Sequence, residues 1–184
     1  THVAHATRRR ARNWDLARTL LRPRHPLLGF VSVILEPGTW MGRGSYRPTD
    51  ETMGTNFEAT LVIQEDDQGM LIDTAITVQS GPQLEWGIWI VPDEYGTYSI
   101  TARGTALNAS GIGKMESVPH IGMLWTEGGE SHIAFAIFAL RDSHGIRGFV
   151  REPASTLTWE LALQPQQQAV TGGNVVSFAP RRRR

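Results

Sequence analysis

Gly38-Thr39-Trp40-Met41-Gly42-Arg43-Gly44-Ser45-Tyr46 is the stretch that decides the fold. In an extended strand Trp40, Gly42, Gly44 and Tyr46 share one face, because successive side chains point to opposite sides. Glycine weakens a strand unless the chain bends sharply there or another group approaches its backbone closely. The stretch therefore predicts the first strand of a barrel. Trp40 closes the barrel base, while Gly42 and Gly44 permit bending and close approach across the barrel.

From Gly38 onward, short runs rich in Thr, Val, Ile, Tyr, Phe and Trp recur every 10 to 14 residues. Turn chemistry separates them: Asp66-Asp67-Gln68-Gly69, Ser80-Gly81-Pro82, Pro92-Asp93-Glu94-Tyr95-Gly96, Glu127-Gly128-Gly129-Glu130 and Asp142-Ser143-His144-Gly145. Strands are expected near 39–47, 55–65, 69–79, 83–91, 96–103, 105–117, 120–126, 131–141, 145–151 and 155–164. Ten strands with short connections and no helix between them read as an all-β, single, closed, antiparallel up-and-down barrel. A sandwich is the main alternative.

Alternation supports the assignment. Phe57, Ala59, Leu61 and Ile63 lie opposite Glu58, Thr60 and Gln64. Met70, Ile72, Thr74, Ile76 and Val78 lie opposite Asp73 and Thr77, and Leu157, Trp159, Leu161 and Leu163 lie opposite Thr156, Thr158 and Glu160. Two runs are apolar on both faces: Leu84 to Val91, with Trp86 and Trp89 on opposite sides, and Ile133 to Leu140. Both faces of those strands call for cover, supplied by the N-terminal apolar segment or by a second subunit in a homodimer.

The barrel domain is expected over 27–165. Residues 1–26 hold seven of the 17 arginines and read as a basic, poorly ordered tail, a transit-type sequence or a nucleic-acid arm. Residues 27–35 are apolar, as a short helix that plugs one barrel end or as a first strand. Residues 166–184 form a polar, Arg-rich tail in which Val175, Val176 and Phe178 offer an edge strand.

Formal net charge is zero, yet the body between Gly38 and Pro165 carries seven basic and sixteen acidic residues. An acidic body repels phosphate, which argues against nucleic acid as a partner. The absence of cysteine removes disulfides and thiolate chemistry, and fits a reducing, cytoplasmic setting. No apolar run approaches the roughly 18 residues of a membrane helix, so no membrane partner is expected.

The Gly38–Tyr46 motif, preceded by His25-Pro26 and the apolar run to Leu35, resembles calycin-like barrels, particularly the nitrobindin-like and related bacterial lipocalin-like families. The resemblance covers about 25–46; beyond it only the rhythm of strands matches. It implies a ten-stranded barrel that binds small apolar ligands. It does not carry over haem, because nitrobindins use a C-terminal histidine and the last histidine here is His144. No cofactor is therefore expected.

Candidate ligand-binding residues are Trp40, Tyr46, Trp86, Tyr98, His132, Phe135 and Arg147. Aromatic rings spread over many strands converge if they share the inner face of a barrel too wide for side chains alone to fill. His132 lies with Ala134, Ala136 and Phe138, as a cavity-lining group or a residue of the barrel rim. Arg147 and Arg151 flank Phe149; either one packs over Trp40, as an arginine does in many calycins, or both face solvent. His144 is expected in an exposed turn. The histidine spacing supports no metal site, and no nucleophile elbow is present.

The expected function is binding of an apolar or amphipathic small molecule in the barrel. The alternative is a calycin-fold enzyme of isomerase or hydratase type, with His132 and Arg147 as the residues to test.

Overall fold

The computed structural model describes residues 35–105 and 107–166. They form ten strands: β1 (Gly38–Pro48), β2 (Thr55–Asp66), β3 (Gly69–Val78), β4 (Gln83–Pro92), β5 (Tyr98–Gly104), β6 (Asn108–Lys114), β7 (His120–Thr126), β8 (His132–Leu140), β9 (Ser143–Arg151) and β10 (Thr156–Pro165). Each pairs antiparallel with its sequence neighbour, and β1 pairs with β10, closing the barrel. Short connections favour this order, since antiparallel neighbours can be joined by a tight hairpin whereas parallel ones need a crossover. Closure leaves no unpaired edge. The barrel displaces the sandwich alternative. The tails and most of the apolar segment 27–35 lie outside the described residues; Leu35 is inside them and packs into the core.

Two strands depart from expectation. The run expected over 105–117 is shorter, Asn108–Lys114. The turn expected at 142–145 tightens, so that Leu140 pairs with Ser143 and His144 already belongs to β9. Pairing of Ala139 with His144 continues the ladder and leaves only Arg141 and Asp142 in the hairpin tip.

Local chemistry sets the turns. The Asp66 carboxylate accepts from the backbone N–H groups of Gln68 and Gly69 at 2.9 and 3.2 Å. Gly69 has φ of 155°, and a Cβ there would meet the Ile90 carbonyl oxygen at 2.3 Å, so only glycine fits. In the β4–β5 turn, Asp93 accepts from Thr97 Oγ1 at 2.5 Å and from the backbone N–H groups of Tyr95 and Thr97. The Thr97 hydroxyl above all holds the Asp93 carboxyl below its usual range, and burial opposes this.

Register fixes which residues face inward. Trp40 lies opposite Leu61, Leu61 opposite Thr74, and Thr74 opposite Trp86. The inner face continues through Ile100, Ala102, Ala109, Leu124, Ile133, Ile137, Ile146 and Leu161, all buried. No helix among the described residues is long and apolar enough to cross a membrane.

Candidate functional site

The two ends of the barrel differ. At the base the Trp40 indole N–H donates to the Glu36 carbonyl at 2.9 Å. Its ring meets His144 edge-on, with centroids 5.3 Å apart and planes at 80°. Met70, Met115 and Leu163 are fully buried at this end, and Leu35 and Tyr98 are buried beside them. At the other end Tyr46, Ile76, Val78, Trp86, Val150 and Trp159 point inward yet are only half-buried. An inward side chain of a closed barrel reaches solvent only through an open end, so these residues mark a mouth. One end of the barrel is therefore closed by buried side chains, and the other presents half-buried apolar and aromatic ones.

Glycines shape its wall. A Cβ on Gly122 would meet the Phe135 ring at 2.4 Å, one on Gly148 the Trp159 ring at 2.6 Å, and one on Gly104 the Trp86 Cβ at 2.4 Å. Aromatic side chains thus lie over bare backbone of neighbouring strands. The expected close approach at Gly42 and Gly44 is present. Gly42 receives the Leu161 and Leu163 methyls, and Gly44 receives the Glu160 carbonyl and the Phe57 ring.

Five of the seven expected residues face inward: Trp40 and Tyr98 at the base, Tyr46 and Trp86 toward the mouth, and Phe135 on the wall. His132 and Arg147 do not join them. His132 pairs with Trp125 and Arg151 on the outer face, and meets the Phe149 ring edge-on at 5.9 Å. Arg147 lies 3.5 Å from Glu160 in an exposed ion pair, with its guanidinium 5.8 Å from the Phe138 ring centroid. The residue against Trp40 is His144, not an arginine. For His132 the cause is that β8 is apolar on both faces, so alternation alone could not say which face is inside; on β9 Ile146, Gly148 and Val150 take the inner face and leave Arg147 and Arg151 outside. The enzyme alternative thereby loses both residues it named.

Sequence reasoning passed over three inward polar groups, one of them His120, which is 2% exposed at the base end of β7. Thr74 is 9% exposed, and its Oγ1 is buried without a hydrogen-bond partner. A buried hydroxyl left so costs about 1–3 kcal/mol. Its signal was present, a threonine inside an otherwise apolar inward set. His144 Nδ1 is likewise buried and unpartnered. Its signal was masked by turn-forming neighbours. Burial, reinforced by the Glu116 carboxylate, raises the Tyr98 phenol above its ordinary value of 10.0. Among the described residues no group of three His, Cys, Asp or Glu side chains is placed to hold a metal ion.

A second concave feature lies on the outer wall. It is an open depression of about 750 Å³ across β6 to β9. Ala134 and Ala136 form its floor, Ile112, Ile121, Met123 and Trp125 one side, and Phe149 and Arg147 the other. The inner-face glycines Gly113, Gly122 and Gly148 let the side chains of Met115 and Ile100, Phe135 and Trp159 press against this wall from within. Being open, the depression cannot enclose most of a small ligand as a binding pocket does.

No protein-family model and no curated protein matches the chain. Among solved structures the chain is similar to an S-type phycobiliprotein lyase from Guillardia theta, with a TM-score of 0.53 and 9% identity over 72% of this chain and 89% of that one. At that identity the likeness concerns the fold alone, a closed, ten-stranded antiparallel barrel.

Proposed function

We propose that the barrel is a receptacle for a small apolar or amphipathic molecule that enters at the mouth. The observation that carries this reading is the contrast between the two ends. The inward side chains Trp40, Ile63, Met70 and Leu163 are buried at the base, whereas Tyr46, Ile76, Val78, Trp86, Val150 and Trp159 are half-buried around the buried Phe57 at the mouth. Half-buried inward rings are surface that a ligand can remove from water at about 25 cal/mol per Å². The likeness to a barrel of calycin type supports it by analogy of fold only.

The test is native mass spectrometry of the protein purified from cells, with an absorption scan of the same sample. A retained small mass supports the reading and identifies the ligand class. A Soret band would replace the apolar ligand with haem. A clean apo mass, together with no quenching of tryptophan fluorescence by any lipophilic probe, would refute the receptacle.

The outer wall supports a second reading, a homodimer. Five of the exposed large apolar residues, Ile112, Ile121, Met123, Trp125 and Phe149, are gathered on this one face. Burying such a patch is the usual reason for its existence. Light scattering after gel filtration should give a dimer mass, and Met123→Glu should return a monomer; a monomeric wild type would refute it.

A further inference from the structure

The chemistry of the occupant follows from the inner face, on the basis of the receptacle reading above. Among the described residues the inward strand positions carry no lysine or arginine, and the only acid is Glu65 at the base end of β2. Every other charged strand residue faces outward, as Arg43 and Glu58 do in their exposed ion pair at 3.3 Å. The two inward histidines, His120 and His144, lie at the base, so a carboxylate or phosphate held at the level of Thr74 would meet no lysine or arginine of the wall, and burying an unpaired charge is prohibitive. The interior does hold a polar atom that packing does not explain. Thr74 stands on β3 between Ile72 and Ile76, opposite Leu61 and Trp86. Neither neighbour's side chain offers an oxygen, and the Thr74 hydroxyl has no hydrogen-bond partner. Valine would fill the same volume without that cost.

We propose that the ligand is an uncharged, largely apolar molecule with one hydrogen-bonding oxygen, a ketone or an alcohol, and that Thr74 Oγ1 is its anchor. The oxygen leads and the apolar remainder lies back along Trp86 toward the mouth. The residual exposure of Thr74 belongs to its other atoms, since Oγ1 itself is covered. A 120° turn about χ1 exchanges hydroxyl and methyl between staggered positions and brings the donor to the ligand without backbone movement.

Three probes of one shape separate the contributions: 2-ethylnaphthalene, 2-acetylnaphthalene and 2-naphthoate, titrated calorimetrically at pH 8. Wild type should bind the ketone about fivefold tighter than the hydrocarbon, and the carboxylate at least about tenfold weaker than the ketone. In Thr74→Val the ketone preference should vanish while hydrocarbon affinity holds, and Thr74→Ser should keep the preference. A preference undiminished in Thr74→Val, hydrocarbon binding with no ketone preference in wild type, or carboxylate binding equal to that of the ketone overturns the assignment and leaves the receptacle standing. Failure of all three probes to bind wild type overturns the assignment, and the receptacle falls with it only where the purified protein also gives a clean apo mass and unquenched tryptophan fluorescence.

Discussion

Gly44→Ala should unseat the closure of the barrel. The new Cβ would lie 2.2 Å from the Glu160 carbonyl oxygen and 2.5 Å from the Phe57 ring. Ordinary carbon-to-oxygen contacts are about 3.3 Å or more, so β1 and β10 must separate by more than about 1 Å at this point. The obstruction on one side is backbone and cannot rotate away. The rung involved pairs Gly44 with Leu161 and Ser45 with Glu160. Weakening about two ladder bonds costs about 2 kcal/mol. Pushing the Phe57 ring off its rotamer adds about 1 kcal/mol, for a total near 3 kcal/mol. With a urea slope of about 1.5 kcal/mol per molar, the unfolding midpoint should fall by about 2 M. Gly54→Ala is the control. Its nearest contact would be the Tyr46 carbonyl oxygen at 3.3 Å, and its effect should stay within about 0.5 kcal/mol. A Gly44→Ala midpoint shift below about 0.5 M would refute the close-approach reading of this strand.

Two further predictions concern the base. Trp40→Phe keeps an aromatic ring but removes the indole N–H that reaches Glu36, and should cost about 1 kcal/mol in urea unfolding; equal or greater stability would mean that this hydrogen bond does not tie the incoming chain to the base. Tyr98 has a raised folded value, so the folded state holds its proton more tightly than the unfolded state does. Its contribution is present below pH 10.0 and declines as the pH rises past that point. Ultraviolet titration should show one tyrosine ionising later than the others, and Tyr98→Phe should flatten the alkaline loss of stability; simultaneous ionisation of all three tyrosines would contradict it.

Much of the fold was legible because hairpins are local. Each turn signal lies within a few residues of the strands it joins, and period-two alternation reports a half-buried wall directly. Phe57 to Ile63 and Leu157 to Leu163 show it: both are inward where their apolar positions fall. Trp40 at the base followed from the same logic, since a tryptophan beside two glycines has few other uses in a strand. The site was less legible. Tyr46, Trp86, Tyr98 and Phe135 do face inward, but His132 does not, because its own strand is apolar on both faces, and Arg147 does not, because it alternates with the inward Ile146 and Gly148 and pairs with the outward Glu160. His144 looked like a turn residue in a sequence of Asp, Ser and Gly, yet cross-strand pairing with Ala139 and Leu163 draws it into β9.

By itself, then, the sequence determined the number of strands, their antiparallel order and the inner face of every strand with clear alternation, because those follow from contacts near in the chain. Tertiary structure alone decided the inward face of β8, the partner of Trp40, the isolation of the Thr74 hydroxyl and the difference between base and mouth. Each of these depends on strands distant in sequence meeting around a closed ring. Closure is a non-local constraint: β1 must find β10 before any inward residue acquires its neighbours.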